Sequence, residues 1–573
     1  MKRKNLIKYG LTVLTASTAL IGAGGTAQAA DAKKPNILFI MGDDIGWMQV
    51  GAYHQGMSVG ETPNIDRLAR EGGRFMTYYA EQSCTAGRNA FITGMNPLRT
   101  GMIVPQLPGS PSYLRPGTPC LAKALLDLGY NTGEFGKNHL GDHPDSLPTA
   151  HGFQEFWGYL YHLDAMQQVS WPDINKSPTE QTIAPPCMEE PIPGIPQVPD
   201  AIDPRTGTCL TPPRPVLWMK SSDGTAKNQM GKDEGPITLE RSKTLEEEIT
   251  SHAVDWLDRN DPKKTGKPFF CWLAQMRMHV TTVLSPKYMA MVGEPGGKDW
   301  GANEAGMKEL DDNLGVVFKK LEDMGEMDNT IIVWTTDNGP QQETYPDGGT
   351  TPFKGDKCST WEGGMRVPCV IRWPGVIKPG TLFTKTFASL DWFPTLVEAA
   401  GGAKGNTLND QIMAGKYPGF VKTKLDGFNQ IDYLTGKSEK SAREVFFYYD
   451  GASPSAVRYK NWKMYFTMVG STGAAAIMGK TSYAWAQVDN IGRDPFEAAT
   501  GDDQKTAAGI GGSLAGPMTS YIYDWNILPI GQLLWEKELM SYKEFPPLQA
   551  PESFNLDQVL AAVRAAHDHP PIR

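Results

Sequence analysis

Beyond its first ten residues the sequence lacks a block of basic residues, and its formal net charge is −9 at pH 7. Proteins that bind nucleic acids use clustered lysine and arginine side chains to neutralise phosphates. The charge of this chain therefore argues against a nucleic-acid partner. A local pocket of positive charge that binds an anionic small molecule is compatible with the same composition.

Long apolar runs are also missing. The chain begins with four basic residues among its first eight, followed by an apolar stretch over 11–23 and by small residues at 27–29. This order is typical of a cleavable export signal. The apolar stretch is too short and too rich in Gly and Thr to span a membrane, and no later segment is apolar enough. We predict a signal peptide over residues 1–30, an exported (periplasmic or secreted) protein, and no membrane span.

The sequence lacks a cluster of His and Cys residues with the spacing of a zinc site. It contains seven cysteines, an odd number for an exported protein. Cys187 and Cys209 bracket a Pro-rich stretch and are the best candidates for a disulfide bond. The pairing of the other cysteines does not follow from the sequence.

Two apolar runs are each followed by oxygen-bearing side chains: Asp43 and Asp44 after the first, Asp337 and Asn338 after the second. Runs that are apolar on both faces are typical of buried parallel strands, and ligands of α/β sheets bind at the carboxyl ends of such strands. Hard oxygen donors suit Ca²⁺ or Mg²⁺. For the Asp43-Asp44 pair alone, an exposed turn is the alternative interpretation.

Cys84 and Arg88 lie in a small, polar, Gly-containing segment at the expected start of a helix. A helix N-terminus and a nearby cation lower the pKa of a thiol and concentrate hydrogen-bond donors around an anion. We therefore interpret Cys84 as the reactive centre. A small buried cysteine with a surface arginine nearby is the alternative.

Three further candidates follow apparent strands or lie in polar loops: Lys137 and His139 in a Gly-flanked turn, and His279 just after an apolar run. A turn carrying Lys and His is usually just exposed, and a lone histidine is more often structural than catalytic. Their position past the carboxyl ends of strands favours a functional role. Lys357 belongs to a later cationic segment.

The alternation of apolar runs and amphipathic segments indicates an α/β fold. We predict a catalytic domain over 33–440, with one helix over 238–257 and a Pro-rich insertion over 172–236 that forms a loop at the mouth of the active site. A smaller C-terminal α+β domain is expected over 441–573. Within it we predict short antiparallel strands over 445–449, 455–459 and 462–466, a loop over 470–516, and helices over 531–539 and 556–566.

In order and spacing, these motifs resemble those of the sulfatase family. The resemblance covers Asp43-Asp44, Cys84-x-x-x-Arg88, Gly136-Lys137-x-His139, His279, Asp337-Asn338-Gly339, Lys357 and the segment 362–368. It implies an alkaline-phosphatase-like fold, in which a mostly parallel central sheet is sandwiched by helices and a smaller C-terminal domain is built on a short antiparallel sheet.

The resemblance also implies a cofactor and a modification. Asp43, Asp44, Asp337 and Asn338 would bind a divalent cation together with residue 84, usually Ca²⁺ in this family, with Mg²⁺ as the alternative. A modifying enzyme would oxidise Cys84 to formylglycine, whose hydrate attacks the sulfur atom of the substrate.

By the same resemblance, Arg88 would stabilise the attacking hydroxyl, and Lys137 and Lys357 would neutralise the sulfate oxygens. His279, with Lys357, would protonate the leaving group, and His139 would act as the base that releases sulfate. The sequence departs from the family pattern at three places: Ala86 replaces the proline of the modification motif, Asn138 an aromatic residue, and Thr281 a proline.

These implications make a sulfatase acting on a small-molecule or glycan sulfate ester the first hypothesis, with an aryl ester as the default substrate. The second is a formylglycine-dependent hydrolase of phosphonate or phosphate esters. The third is an inactive sulfate-ester-binding homologue, in which Ala86 prevents modification of Cys84. Oligomeric state is not readable from the sequence.

Overall fold

The computed structural model describes residues 33–108, 110–167, 201–202, 209–210, 215–293, 299–473, 476, 479–498 and 524–551. The described residues from Lys34 onward belong to one compact unit. Cys187 and the predicted helix over 556–566 lie outside the described residues, and so do all of the predicted signal peptide and most of the Pro-rich insertion before residue 215.

The described strands are numbered in chain order. They are β1 Asn36–Gly42, β2 Gly73–Phe75, β3 Tyr78–Tyr79, β4 Asn131–Lys137, β5 Glu155–Tyr159, β6 Ala201–Ile202, β7 Cys209–Leu210, β8 Pro215–Ser221, β9 Gln229–Pro236, β10 Phe269–Ala274, β11 Thr330–Thr336, β12 Cys369–Arg372, β13 Thr381–Phe383, β14 Phe387–Ala388, β15 Val445–Asp450, β16 Ser453–Tyr459, β17 Trp462–Val469 and β18 Lys480–Asn490.

The described α-helices are also numbered in chain order. They are α1 Gly51–His54, α2 Pro63–Glu71, α3 Cys84–Thr93, α4 Pro97–Thr100, α5 Leu121–Asp127, α6 Leu163–Gln167, α7 Leu239–Ser242, α8 Leu245–Arg259, α9 Pro262–Thr265, α10 Pro286–Met289, α11 Ala302–Met324, α12 Glu362–Met365, α13 Trp392–Ala399, α14 Thr407–Met413, α15 Ile431–Leu434 and α16 Leu528–Glu544. None of the helices in the described part of the chain is long and apolar enough to cross a membrane.

A large central sheet organises the fold. Its described strands follow the order β13-β2-β12-β11-β1-β10-β4-β5-β8-β9. The consecutive strands β11, β1, β10, β4 and β5 are parallel, whereas β12, β8 and β9 run antiparallel to their inner neighbours. The carboxyl ends of the parallel strands therefore meet at one edge, where a ligand of an α/β sheet binds.

Both faces of this sheet are covered. Along β1, Leu38 and Ile40 point into an apolar core shared with α8 and α11. Ile37, Phe39 and Met41 point into a second core shared with α3, α5 and α13. Because all seven residues of β1 are buried, the strand must lie between two layers of helices. The predicted α/β sandwich is confirmed.

The predicted helix over 238–257 is interrupted, so that expectation was wrong. The structure has α7 and then α8. Thr238 is the N-cap of α7 and accepts a hydrogen bond from the backbone of Arg241 at 3.1 Å. Thr244 has a non-helical φ of −128° and starts the second helix. The carbonyl oxygen of Ser242 at the break instead accepts a hydrogen bond from Arg277.

Two segments that we expected to be loops contain strands. Within the Pro-rich insertion, β8 and β9 form a hairpin that extends the edge of the central sheet. Within 470–516, β18 pairs with β17. The flanking Pro and Gly/Ala-rich composition concealed these strands, since their stability comes from pairing with a neighbour rather than from local preference.

The C-terminal sheet has the order β15-β16-β17-β18 and is antiparallel throughout. Three of its strands coincide with the predicted ones at 445–449, 455–459 and 462–466. One side of the sheet packs against α16 through Val457, Met464 and Trp535. The other side packs through Phe446 and Tyr465 against Trp361 and Met365.

The carboxyl group of Glu134 lies inside the sheet on β4 and is fully buried. Burial raises its pKa from 4.5 to about 8. Between these two pH values the carboxyl group is therefore protonated in the folded protein and ionised in the unfolded chain. This group therefore stabilises the fold at acid pH, and its contribution is lost as the pH rises through about 8.

Replacing Glu134 by glutamine should keep the hydrogen bond that Asn138 donates to it at 2.9 Å and remove the ionisation. We expect the melting temperature of Glu134→Gln, minus that of the wild-type protein, to increase by a few degrees as the pH is raised from 5 to 8.5. Scanning fluorimetry across that range measures both melting temperatures. An equal difference at both pH values would contradict the assignment.

Candidate active site

Two strand ends bring the acidic residues together. β1 and β11 are parallel neighbours with Gly42 opposite Thr336, so the residues that follow them are adjacent. The backbone N–H of Asp44 donates to Asp337 Oδ1 at 3.3 Å, and Asn338 Nδ2 donates to Asp44 Oδ1 at 2.7 Å. Ligand atoms of Asp43, Asp44, Cys84 and Asp337 all lie within 4.8 Å of one another.

The chemistry of this cluster fits a hard divalent cation. Asp43 Oδ1 and Asn338 Oδ1 are buried and have no hydrogen-bond partner among the described residues. Burial and the neighbouring Asp43 raise the pKa of Asp337 to about 7, since buried carboxylates repel one another. Oxygen ligands of this kind are those that Ca²⁺ and Mg²⁺ prefer, and a cation would offset the cost of burying several carboxylates.

Cys84 is the first residue of α3, as expected, and only 1% of its surface is exposed. Its Sγ lies 3.9 Å from Asp44 Oδ1. The expectation of a lowered thiol pKa was wrong. Burial raises the pKa of Cys84 well above its usual value, and the opposing charges of Lys137 and Lys357 do not compensate. As a thiol, Cys84 is therefore a poor nucleophile at neutral pH.

Arg88 connects the helix to the acidic cluster and is completely buried. Its Nε donates to Asp337 Oδ2 at 2.9 Å, and its Nη1 donates to the carbonyl oxygen of Lys137 at 2.8 Å. Its Nη2 lies 3.7 Å from Asp43 Oδ1. One turn of α3 after Cys84 thus places the guanidinium group of Arg88 next to Asp43 and Asp337, the acidic residues at the ends of both strands.

Gly87 allows this close approach. A Cβ atom at position 87 would lie 1.9 Å from the backbone oxygen of Asp337. We expect Gly87→Ala to push α3 away from Asp337, to destabilise the fold by about 1–3 kcal/mol, and to lower kcat/KM by roughly 100-fold, because small displacements at a reacting centre are costly. Steady-state kinetics and chemical denaturation measure both effects. Unchanged kinetics in a folded variant would contradict the packing argument.

Two lysines reach the cluster from different elements. Lys137, the last residue of β4, donates to Asp43 Oδ2 at 2.6 Å. Lys357 donates to Asp44 Oδ2 at 2.8 Å, and its Nζ lies 3.3 Å from His279 Nε2. Both ammonium groups are buried. They provide positive charge next to Cys84 that an anionic substrate requires.

The two predicted histidines occupy different positions. His279 lies beside Lys357 and lines a cavity of about 270 Å³ together with Cys84. Burial and the nearby lysines lower its pKa to about 4. His139 Nε2 lies 2.9 Å from the carbonyl oxygen of Gln106, and its Nδ1 has no hydrogen-bond partner among the described residues. Burial lowers the pKa of His139.

The cavity also contains residues that the sequence analysis did not single out. His162 and Asp164 follow β5, and Gln341 follows the Asp337-Asn338 segment. Asp164 contacts His162 directly, and its Oδ1 lies 3.7 Å from His279 Nδ1. Gln341 accepts a hydrogen bond from Lys357 at 3.3 Å. No motif marks these residues, so only their place in the fold identifies them.

A family model named Sulfatase matches residues 35–403, which is well over half of the chain. The chain belongs to the sulfatase family. It is similar to arylsulfatase A of Bos taurus, with 30% identity over 438 residues that cover 75% of this chain and 73% of the relative. It is also similar to steryl-sulfatase of Mus musculus, with 28% identity over 80% of this chain and 75% of the relative.

A solved sulfatase, PsFucS1 from Pseudoalteromonas sp., shares the fold of this sulfatase with a TM-score of 0.72 and 24% identity. The match covers 90% of this chain and 92% of that one. The predicted alkaline-phosphatase-like architecture is thereby confirmed. The family and its named relatives make this sulfatase a sulfuric ester hydrolase.

Proposed function

We propose that this sulfatase is an exported enzyme that hydrolyses organic sulfate esters, with aryl esters as the first substrate class to test, through formylglycine at position 84 and a bound Ca²⁺. The observation that carries the proposal is the position of Cys84. It lies at a helix N-terminus, within 4.8 Å of the ligand atoms of Asp43, Asp44 and Asp337, and on the wall of the cavity that contains His279 and Lys357.

The cation ligands are Asp43, Asp44, Asp337 and Asn338, together with residue 84. Asp43 Oδ1 and Asn338 Oδ1, for which the described residues offer no hydrogen-bond partner, support this assignment. When bound, the cation supplies Lewis-acid stabilisation of a sulfate oxygen and of the attacking oxygen. Mg²⁺ is the alternative ion, since the ligand set consists of hard oxygen atoms.

Conversion of Cys84 to formylglycine supplies a hydrated aldehyde, and thus an oxygen nucleophile in place of a thiol. The raised pKa of the unmodified thiol supports the need for this change. Position 86 lies in the first turn of α3, before the first helical hydrogen bond from Gly87 to Ser83. Its N–H is therefore not needed by the helix, and the backbone hydrogen bonding accommodates either alanine or the proline of the family motif.

The remaining side chains act on charge and protons. Arg88 holds Asp337 and stabilises negative charge at residue 84, while Lys137 and Lys357 neutralise the sulfate oxygens as charge develops in the transition state. His279 and Lys357 together deliver a proton to the leaving oxygen. The imidazole is neutral at neutral pH, since its pKa is lowered to about 4, and it passes on a proton from the Lys357 ammonium group, which lies 3.3 Å from its Nε2. His139 accepts the proton whose removal releases sulfate. Its Nδ1, which has no hydrogen-bond partner in the described part of the chain, supports this role.

The proton supplied by His279 should matter most for poor leaving groups. We expect His279→Ala to lower kcat/KM about 10-fold for a nitrophenyl sulfate and about 10³-fold for an alkyl sulfate, because a stable phenolate leaves without protonation whereas an alkoxide does not. A series of aryl sulfates with graded phenol pKa measures the difference. Equal losses across the series would contradict a proton-donor role.

Mass spectrometry of the peptide that carries residue 84, from protein purified out of an exporting host, tests the proposal as a whole. Formylglycine at that position is the expected result. An unmodified thiol, together with binding of an aryl sulfate without turnover, would overturn it in favour of a sulfate-ester-binding homologue. A parallel assay with an aryl phosphonate tests the other alternative, a formylglycine-dependent hydrolase of phosphonate or phosphate esters. A preference for the phosphonate over the sulfate would establish that alternative.

Export and domain boundaries belong to the same proposal. A signal peptide over residues 1–30 would be removed, and residues 33–440 would carry catalysis with 441–573 as a smaller C-terminal subdomain. N-terminal sequencing of the exported protein tests the first of these statements, and an N-terminus near residue 31 is the expected result.

A further inference from the structure

The C-terminal sheet contacts the segment that carries Lys357. We call residues 357–362 the lysine segment. Its first part is fixed from within the catalytic core, because the backbone N–H of Lys357 donates to the carbonyl oxygen of Pro340 at 2.9 Å and that of Cys358 donates to Gln82 at 2.8 Å. Its second part, from Thr360 onward, is fixed by the C-terminal sheet instead.

A fully buried ion pair makes the central contact. Lys463, on β17, donates to Glu497 Oε1 at 2.7 Å and to the carbonyl oxygen of Thr360 at 3.0 Å. Glu497 Oε2 accepts a hydrogen bond from the backbone N–H of Glu362 at 2.8 Å. Lys463 and Glu497 both have 0% of their surface exposed. The pair therefore grips the lysine segment on both sides of Trp361.

Further groups on strands of the C-terminal sheet also bind the lysine segment. Ser455 Oγ donates to Thr360 Oγ1 at 3.0 Å, and Trp361 Nε1 donates to the carbonyl oxygen of Val469 at 3.1 Å. The carboxylate of Glu362 accepts a hydrogen bond from Tyr448 at 2.6 Å and one from Lys463 at 3.2 Å. The end of the lysine segment thus has its geometry set by strands β15, β16 and β17.

Stability alone is a poor reason for such an arrangement. A buried ion pair recovers little more than the cost of removing its charges from water, and apolar side chains of similar volume often serve equally well. What apolar side chains cannot do is bond to the carbonyl oxygen of Thr360 and the N–H of Glu362. The pair defines the position of a backbone segment, which an apolar contact defines only loosely.

That position matters at the active site. Lys357 lies three residues before Thr360, and its ammonium group contacts Asp44 at 2.8 Å and His279 at 3.3 Å. Gly473, from the segment between β17 and β18, lines the same cavity. Displacement of a reacting group by about 1 Å costs roughly 100-fold in rate, so small movements of the lysine segment have large effects on activity.

We propose that Lys463 and Glu497 are positioning residues, which act on catalysis by holding Lys357 in register with Asp44 and His279. The inference rests on the role given to Lys357 in the proposed function. It makes the C-terminal sheet a part of the active site, although none of its strands contributes a side chain to the cavity wall.

A double-mutant cycle between the pair and Lys357 tests the proposal, with rates normalised to folded protein and to formylglycine content. We expect Lys463→Met and Glu497→Gln each to lower kcat on an aryl sulfate by about 30-fold or more, with KM changed less than about threefold. In the Lys357→Ala background, the same substitutions should change kcat less than about threefold, because the group they position is gone.

The control is Arg443→Met. It breaks another buried ion pair, in which Arg443 lies 2.7 Å from Asp391, and the described hydrogen bonds of this pair do not reach the lysine segment. It should lower the melting temperature and leave kcat of the folded fraction within about twofold. If Lys463→Met does not fold, Glu497→Gln carries the test, since it keeps the size of the side chain.

Three results would overturn the inference. Losses that persist in the Lys357→Ala background would show that the pair acts on something other than Lys357, and normal kcat in folded Lys463→Met and Glu497→Gln would show a purely structural pair. Full activity of Lys357→Ala itself would instead refute the role of Lys357 in the proposed function. The experiment therefore separates the two failures.

Discussion

Replacing Cys84 by alanine is expected to abolish sulfate-ester hydrolysis, lowering kcat/KM by at least about 10⁴-fold, the scale of loss seen when a catalytic nucleophile is removed. Alanine lacks the thiol group, without which the proposed oxidation of Cβ to the aldehyde of formylglycine cannot take place, and it leaves the start of α3 intact. Since the lost volume is one buried atom, the free energy of unfolding should fall by only about 1 kcal/mol. Steady-state kinetics and thermal unfolding measure the two effects.

Cys120→Ala is the matched control, because Cys120 is also a 1% exposed cysteine at a helix start, the N-cap of α5. It should show the same small loss of stability and keep its activity. Turnover by Cys84→Ala at more than about one hundredth of the wild-type rate would place the nucleophile elsewhere and would contradict the proposed function.

Replacing Asp337 by asparagine is expected to weaken Ca²⁺ binding by about 100-fold or more and to lower kcat/KM by about 10³-fold. The substitution removes one of three carboxylates of the cluster and leaves Arg88 without the charged partner that it contacts at 2.8 Å. Binding affinity depends on the number of charged ligands. Calorimetric titration of chelator-treated protein with Ca²⁺ measures the affinity independently of activity.

Asp311→Asn serves as the control for this second experiment. Asp311 is also fully buried, and it accepts hydrogen bonds from the backbone of Asn64 and Ile65 rather than from a group of the strand-end cluster. It should alter the melting temperature without altering Ca²⁺ affinity. Equal affinities of Asp337→Asn and the unmodified chain would exclude Asp337 as a cation ligand.

The convergence of Asp43 and Asp337 was predictable from the sequence. Each follows a run that is apolar on both faces, and such runs form parallel strands whose carboxyl ends share an edge. The start of α3 at Cys84 was predictable as well. By contrast, the meeting of Lys357 and His279 beside them depends on long loops, and only the resemblance to sulfatases pointed to it.

The wrong expectation for the Cys84 thiol has a physical cause. Sequence shows the nearby Arg88 and the helix N-terminus, both of which lower a thiol pKa. It does not show that burial is complete, nor that Asp43 and Asp337 surround the sulfur atom and oppose its ionisation. Packing against residues distant in the sequence therefore decides that the pKa of the Cys84 thiol is raised rather than lowered. The strands β8, β9 and β18 were missed for a related reason, since strand pairing is also a long-range property.

The 1% exposure of Cys84 sets an order of events in the life of the chain. In the proposed function, an enzyme that oxidises Cys84 must hold the segment around it in its own active site, whereas the folded protein packs that segment against the backbone of Asp337. The proposed oxidation would therefore have to precede folding. A molecule that folds with an unmodified Cys84 would stay inactive, and the active fraction of a preparation would be set during biosynthesis by the relative rates of modification and folding.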